Sequence, residues 1–259
     1  MKSQYGDVSI RIDGHVAVLT LDRPPNNHVS VELMRDLADA LDDIDGEIEL
    51  RASVLKTAGK AFCAGADLVS PTGIGGTGMQ GINPLYVEAV RLFSARKPIV
   101  AAVQGAAVGA GLGLALVADF RVAAPEARFT ANFVKLGFHP GFGISHALPR
   151  LIGEQKAALM MLTGRRVKAD EALAFGLVDE VATLETVRAR AIALAAEIAE
   201  GAPLAVQSTR LTLRGALAAA VKAQTDHEFK EQSWLRQTAD FAEGVRSVAE
   251  RRPGVFAGK

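Results

Sequence analysis

The chain has 259 residues, 49% of them apolar, which is enough to bury a sizeable core in one large domain or in one domain with an appendage. Its 29 basic residues equal its 29 acidic residues, and this zero net charge argues against a nucleic-acid-binding protein, which normally carries a basic excess. The single cysteine, Cys63, excludes an intrachain disulfide and is typical of a protein from a reducing compartment.

Apolar patterning predicts a strand and then a helix near the N-terminus. Residues 15–21 are rich in β-branched and apolar side chains, and the turn residues of 23–27 end this strand. Ser30 is placed to cap a helix in which apolar residues repeat at helical spacing over 31–44. The acidic cluster at 42–49 indicates a solvated turn at the end of that helix.

Two further buried strands are predicted at 53–56 and 99–103. Between them, residues 70–81 are rich in glycine and poor in large side chains, which predicts a mobile surface loop. The longest apolar stretch, 99–118, is interrupted by a glutamine and several glycines, so we interpret it as a buried strand and helix rather than a membrane span. Residues 1–7 lack the apolar stretch of a signal peptide, and we expect a cytoplasmic protein with no membrane association.

The second half of the chain becomes progressively helical. The patterns predict a helix at 169–175, a strand at 176–181, an amphipathic helix at 184–200 and only helices from Pro203 onward. This order indicates an α/β core over residues 1–200, followed by a helical region over residues 201–259.

Two glycine-rich turns are the strongest candidates for a binding site. They span residues 60–68 and 104–113, and each follows a strand. Small residues let a ligand approach the backbone closely, and free N–H groups at a helix start favour negative charge. Two such turns facing each other would form an oxyanion hole from backbone donors. A dinucleotide site is set aside, because Leu114 stands where the third glycine of G-x-G-x-x-G is required.

These turns belong to a longer series of motifs, found at 16–27, 60–68, 97–103, 109–111, 118–121, 136–143, 163–166, 171–178 and 256–259. The most specific are the K-A-F-C-A-G-A-D-L segment at 60–68 and the L-G-F-H-P-G-F-G segment at 136–143. In this order, the motifs resemble the enoyl-CoA hydratase/isomerase (crotonase) superfamily over nearly the whole chain.

The resemblance implies an α/β fold of the ClpP/crotonase type, in which ββα units form a spiral core and a C-terminal helical region mediates oligomerisation. It implies a homotrimer or a hexamer built as a dimer of trimers. The shared chemistry is stabilisation of a thioester enolate, and by position the backbone N–H groups of Ala66 and Ala110 should form the oxyanion hole. The family usually has glycine where Ala110 stands, but the donor is main chain.

The resemblance also implies a coenzyme A site, with coenzyme A entering as part of an acyl-CoA thioester substrate rather than as a resident cofactor. The residues it assigns to this site are Arg23, Asn27, His28, Ala64, Asp67, Leu68, Phe256 and Lys259. Phe256 and Lys259 are expected to reach the coenzyme A of a neighbouring subunit, and the alternative for Lys259 is a frayed terminus. No metal is expected, because the 5 histidines and the single cysteine form no tight ligand spacing.

The sequence departs from the family at the two glutamates with which hydratases activate water. Counting along the motifs places Gly113 and Phe133 at these positions, and neither side chain transfers a proton. Two-glutamate hydration is therefore not expected, nor is one-base isomerisation at Phe133. His139, in the loop bordering the family's active site, is the candidate general base; the alternative is a structural histidine bonded to loop carbonyls.

Four other residues are weaker candidates for chemistry. We interpret Glu88 as part of a solvated helix face, Cys63 as a small buried residue, His146 as a packing or surface residue, and Asp67 as a turn or cap residue. We therefore expect an acyl-CoA-processing enzyme of lyase or isomerase type, including a crotonase-type C–C hydrolase. The alternatives are a non-catalytic acyl-CoA-binding protein and, third, a structural partner in a degradation complex that binds no coenzyme A.

Overall fold

The computed structural model describes residues 1–66 and 83–259, so the predicted loop at 70–81 and the candidates Asp67 and Leu68 lie outside the described residues. The strands are β1 Gln4–Tyr5, β2 Val8–Asp13, β3 Val16–Leu21, β4 Ala52–Thr57, β5 Ile99–Val103, β6 Ala106–Val108, β7 Phe120–Ala123, β8 Arg128–Thr130, β9 Val167–Lys168 and β10 Glu180–Val181. The helices are α1 Val31–Gly46, α2 Pro84–Phe93, α3 Ala110–Val117, α4 Ile144–Ile152, α5 Glu154–Thr163, α6 Ala169–Phe175, α7 Val187–Ala199, α8 Pro203–Arg214, α9 Leu217–Leu235 and α10 Ala239–Ala249, with a 3₁₀ helix at Asn132–Leu136.

A 7-stranded sheet, in the order β1-β2-β3-β4-β5-β7-β10, forms the centre of the molecule. The β1, β2 and β3 strands are antiparallel, whereas β3, β4, β5, β7 and β10 run parallel to one another. A second sheet of 3 strands has the order β6-β8-β9. The two sheets are neighbours, because the chain passes directly from β5 of the first sheet to β6 of the second. The apolar stretch predicted from the sequence covers β5, β6 and α3.

Both faces of the parallel strands are buried, as their unbroken apolar sequences predict. Successive side chains of a strand point to opposite faces, so Val16, Val18 and Val54 pack on one face against α7. The helix meets them through alanines spaced by four residues, which allow its backbone to approach the sheet closely. The opposite face, including Leu19 and Leu55, belongs to the main core with α1 and α3.

Several sequence predictions are confirmed by the structure. Ser30 is the N-cap of α1 and its hydroxyl accepts a hydrogen bond from the Leu33 amide at 3.2 Å. The strands predicted at 53–56 and 99–103 correspond to β4 and β5. After β10, the described chain contains only helices among its regular elements, in agreement with the predicted helical region. None of the described helices is long and apolar enough to cross a membrane.

The strand predicted at 176–181 is shorter than expected. Only Glu180 and Val181 pair with β7. Gly176 ends α6 with a positive φ of 77°, and the amides of Leu177 and Val178 bond back to the Ala172 carbonyl at 2.9 and 3.2 Å. These amides close the helix end and are not available to the sheet, so the first part of the apolar run serves as a helix cap.

Candidate active site

The two glycine-rich turns are bonded to each other along their backbones. The Cys63 amide donates to the Ala106 carbonyl at 2.9 Å, and the Val108 amide donates to the Cys63 carbonyl at 3.0 Å. At Gly111 a Cβ atom would lie 2.1 Å from the Cys63 oxygen, so only glycine permits this approach. The first turn is therefore held against the start of α3, although the two segments are far apart in sequence.

Gly65 brings the first turn to the N-terminus of α3. Its φ is +96°, and a Cβ there would lie 2.8 Å from the Val108 oxygen and 3.9 Å from the Ala110 nitrogen. Ala110 opens α3 after Gly109, which offers no side-chain cap, so the first amides of the helix are open. Within residues 1–66 and 83–259, neither the Ala66 amide nor the Ala110 amide donates a hydrogen bond to a protein group. Both residues line the same cavity.

The cavity has a volume of about 330 Å³ and a largely apolar lining. Its apolar wall includes Phe133, Phe138 and Phe142, which come from the 3₁₀ helix and the loop after it. The polar or ionisable side chains of the described lining are His28, Asn83, Tyr86, Asn132, Gln232 and Arg236. This part of the lining contains no carboxylate. The size and polarity are those of a site for a mainly apolar small molecule.

Aromatic rings occupy both places at which counting along the sequence motifs predicts that glutamates are replaced. Phe133 lines the cavity and is 8% exposed. At Gly113 a Cβ atom would lie 2.5 Å from Cδ1 of Phe142, which is fully buried with a positive φ of 64°. The Phe142 ring therefore fills the space that any side chain at position 113 would need.

A buried polar network fixes the loop that carries Phe142. The Tyr86 hydroxyl donates to Oε1 of Gln232 at 2.7 Å, and Nε2 of Gln232 donates to the carbonyls of His139 and Pro140 at 2.9 and 3.2 Å. Burial raises the pKa of the Tyr86 phenol well above its usual range, so this group stays protonated at neutral pH. Tyr86 and Gln232 thus serve to hold the loop in place.

His139 is not part of the described cavity lining. Its Nδ1 lies 2.8 Å from the Pro140 carbonyl, which only accepts, so Nδ1 donates; its ring meets the edge of His227 at 5.9 Å. This geometry favours the alternative of a structural histidine bonded to a loop carbonyl. A catalytic role of His139 stays a prediction.

The candidates for the coenzyme A site divide into two groups. His28 and Ala64 line the cavity beside Ala66. Asn27 is buried with a positive φ of 52°, and its side chain accepts from the Arg23 amide at 2.9 Å and donates to the carbonyls of Ala58 and Ala61. Asn27 therefore shapes the turn. Arg23 also has a bond within this region, because its Nη1 donates to the Ser30 hydroxyl at 2.5 Å.

The C-terminal candidates lie away from the described cavity lining. The Lys259 carbonyl accepts from the Asp240 amide at 3.2 Å, and the Asp240 carboxylate accepts from the amides of Ala257 and Gly258 at 2.7 and 2.8 Å. The tail is thus bonded to the start of α10 rather than frayed. Phe256 is 43% exposed, and its contact with the coenzyme A of a neighbouring subunit stays a prediction.

The weaker candidates have structural environments. Glu88 is 7% exposed and forms ion pairs with Arg35 at 3.2 Å and Arg91 at 2.8 Å. Cys63 is buried, and burial raises the pKa of its thiol to about 12, which leaves it unreactive at neutral pH.

Sequence analysis did not identify the polar residues that α9 directs towards this region. Glu228, Gln232 and Arg236 are spaced by four residues, so they share one face of the helix and its C-terminal end. That spacing is the signal that sequence alone offers. It does not reveal which part of the distant α/β core the face contacts.

Glu228 supports the site from behind the loop. Its carboxylate accepts from the amides of Gly143 and Ser145 at 2.8 and 3.1 Å and from the Ser145 hydroxyl at 2.5 Å. It thereby caps α4, whose N-cap residue Gly143 has no side chain to do so. Burial raises the pKa of Glu228 to about 7.

Replacing Glu228 by glutamine is expected to flatten the pH dependence of stability. The folded protein binds the Glu228 proton more tightly than the unfolded chain, so this contribution is complete below the unfolded pKa of about 4.5 and is lost as pH rises through about 7. We expect the wild type to lose roughly 1–3 kcal/mol more unfolding free energy than Glu228→Gln between pH 5.5 and 8.5. Urea unfolding of both proteins across this range measures the difference. Equal pH slopes would contradict the assignment.

Comparison with known proteins places this geometry in context. The family model described as enoyl-CoA hydratase/isomerase matches residues 11–259. The chain is 38% identical over 248 residues to a putative enoyl-CoA hydratase of Thermus thermophilus, covering 94% of this chain and 98% of that protein. It is 34% identical over 259 residues to (E)-benzylidenesuccinyl-CoA hydratase of Thauera aromatica, covering 97% and 99%. A crystal structure of an enoyl-CoA hydratase/isomerase from Pseudoalteromonas atlantica superposes with a TM-score of 0.87 at 31% identity, covering 97% and 100%.

Proposed function

Because the chain belongs to the enoyl-CoA hydratase/isomerase family and adopts the crotonase fold, we propose that it processes acyl-CoA thioesters through an enolate held by the backbone amides of Ala66 and Ala110. The observation that carries this proposal is the meeting of these two amides in one apolar cavity, with no protein acceptor for either among the described residues. Fixed donors in a site of low polarity stabilise developing negative charge most effectively, because they need no reorganisation during the reaction.

The cavity supports a binding mode for the substrate. The thioester oxygen lies between the two amides, and the coenzyme A chain leaves past Ala64 and His28. The acyl group occupies the space between Phe133, Phe138 and Phe142. These rings suit a bulky or cyclic acyl group, and the relative from Thauera aromatica is named for a benzylidenesuccinyl thioester.

The type of reaction follows from the side chains at the cavity. Without a carboxylate at position 113 or 133, activation of water by paired glutamates is not part of the proposal. An enolate-forming isomerisation, in which a water in the cavity or His139 accepts the α-proton and returns it to the new position, or a crotonase-type C–C bond cleavage by water is proposed in its place. The second candidate is a non-catalytic acyl-CoA-binding protein, which is favoured by one observation: the Phe142 ring fills the space of the first glutamate.

Further parts of the proposal concern assembly and location. We propose a cytoplasmic homotrimer or a hexamer, with contacts made by the helical region over residues 201–259. Leu204 and Leu211 of α8 support it, because they lie seven residues apart on one face of the helix and are 80% and 69% exposed, an apolar pair that a neighbouring subunit would cover.

The proposal is tested by mass spectrometry of the purified protein with enoyl-, 3-oxoacyl- and cyclic acyl-CoA thioesters, with coenzyme A binding measured in parallel. A cleaved product or a chromatographically resolved isomer identifies the reaction. Incubation of hexanoyl-CoA in D₂O adds a direct test, because enolate formation exchanges the α-protons of a saturated thioester. Tight binding with neither conversion nor exchange would favour the acyl-CoA-binding protein.

A further inference from the structure

His28 is bonded to the peptide unit that supplies one of the proposed oxyanion donors. Its Nδ1 lies 3.2 Å from the Gly65 carbonyl oxygen. A carbonyl oxygen only accepts hydrogen bonds, so this contact forms when Nδ1 carries the proton. The Val29 amide donates to the same oxygen at 3.0 Å. The Gly65 carbonyl oxygen therefore accepts hydrogen bonds from two donors.

The Gly65 carbonyl and the Ala66 N–H belong to one resonance-coupled, planar peptide unit. A hydrogen bond accepted at the oxygen draws electron density from the nitrogen and makes the N–H a stronger donor. We infer that His28 is a positioning residue, an inference that rests on the proposed oxyanion hole. His28 polarises the Gly65–Ala66 peptide and so strengthens the Ala66 N–H as a donor to the thioester oxygen.

The surroundings fix this arrangement before any ligand binds. Asn27, with its positive φ and its three hydrogen bonds, sets the backbone that carries His28. Gly65 is locked against Val108, where a Cβ would lie 2.8 Å from the carbonyl oxygen. The peptide unit therefore cannot rotate freely, and the direction of its dipole is preset. A preset dipole is worth more to an enolate than one that must turn during the reaction.

The size of the effect follows from two general magnitudes. One oxyanion donor contributes about 10²–10³-fold to a reaction rate, and a neighbouring hydrogen bond strengthens a donor by roughly 10–30%. Loss of the His28 contact is therefore expected to slow α-proton exchange roughly two- to eightfold. Exchange rates are compared at saturating hexanoyl-CoA, because His28 also lines the cavity and its replacement is expected to alter the affinity for the thioester.

The experiment uses the full chain with [1-¹³C]hexanoyl-CoA as the probe. Infrared difference spectroscopy measures the stretching frequency of the bound thioester carbonyl, and mass spectrometry measures α-proton exchange in D₂O. The variants are His28→Leu and His28→Phe, which remove the donor, and His28→Gln, whose amide can still donate to the Gly65 oxygen. The matched control is His15→Leu. Nδ1 of His15 lies 2.7 Å from the Glu49 carbonyl oxygen, a similar contact, but His15 does not line the cavity.

In the wild type and in His15→Leu, the carbonyl band is expected to shift to lower frequency on binding. The shift should shrink in the Leu and Phe variants and return in His28→Gln, with exchange rates following the same order. If wild type and the non-donor variants show the same shifted band, the inference fails while the proposed function stands. If the wild-type band does not shift and no exchange occurs, the proposed function itself fails. Circular dichroism shows whether each variant folds. If either His28→Leu or His28→Phe does not fold, the comparison of the other one with His28→Gln still tests the inference.

Discussion

Replacing Ala110 by proline is expected to slow α-proton exchange and turnover by about 10²–10³-fold, equivalent to roughly 3–4 kcal/mol of barrier, because it removes the amide hydrogen proposed to bind the enolate oxygen. Ala110 is the first residue of α3, a position at which proline is tolerated since its N–H has no partner within the helix. Gly109 precedes it with φ 52° and ψ −119°, an extended conformation of mirror hand that only glycine adopts readily. The substitution therefore removes a donor with little cost to the fold.

The matched control is Ala110→Gly, which keeps the amide. We expect its exchange rate to stay within a few-fold of wild type, because the donor belongs to the main chain. Deuterium incorporation into hexanoyl-CoA measures both variants, and thermal unfolding shows whether α3 has been disturbed. Wild-type exchange in a folded Ala110→Pro variant would exclude Ala110 as an oxyanion donor.

The local parts of the fold could be predicted from the sequence because their causes are local. The Ser30 cap, the repeating apolar face of α1 and the apolar runs of β4 and β5 are determined by residues adjacent in the chain. The same holds for the two glycine-rich turns, whose motif order identified the family and its fold, both confirmed by the comparisons. The sequence predicts a strand over 176–181, but the first residues of this segment cap α6, because apolarity does not distinguish a helix cap from a strand.

The rest of the site depends on contacts between distant segments. Counting along the motifs predicts that Gly113 and Phe133 stand in place of two acids, but it cannot reveal that the Phe142 ring fills the space beside Gly113. That contact arises from the positive φ of Phe142 and from the network through which Gln232 of α9 holds its loop. The sequence places His139 on the loop bordering the family's active site, but it does not reveal that the ring is bonded to the Pro140 carbonyl outside the described cavity lining.

The acidic cluster at 42–49 also makes contacts with segments that are distant in the sequence. The sequence predicts a solvated turn at residues 42–49, but Asp45 accepts hydrogen bonds from the amides of Arg96 and Lys97 at 2.7 and 3.1 Å. Asp42 pairs with Arg91 at 2.5 Å. The cluster thus binds α1 to α2 and to the segment before β5, which no count of charges reveals.

Asparagine in place of Asp119 is expected to lower the free energy of unfolding by about 3–5 kcal/mol. The Asp119 carboxylate accepts from Nε of Arg210 at 2.9 Å, from Nη1 of Arg214 at 2.6 Å and from the Ile99 amide at 2.8 Å. All three charged side chains are about nine-tenths buried. The variant leaves two guanidinium groups buried without their counter-charge, and it loosens α8, whose arginines are bonded to the core at this point.

The pH dependence gives an independent check on the same cluster. Burial alone raises the pKa of Asp119, but the attraction of Arg214 and Arg210 outweighs burial and the pKa is lowered. The stabilisation is therefore complete above the unfolded pKa of about 4 and is lost as pH falls through the lower folded value. Urea unfolding at neutral and acidic pH should show the gap between wild type and Asp119→Asn narrowing at low pH. Asp226→Asn is the control: its exposed pair with Lys222 is expected to contribute less than about 1 kcal/mol. An equally small loss at Asp119 would mean that the guanidinium groups find other acceptors, and that the helical region does not depend on this carboxylate for its attachment to the core.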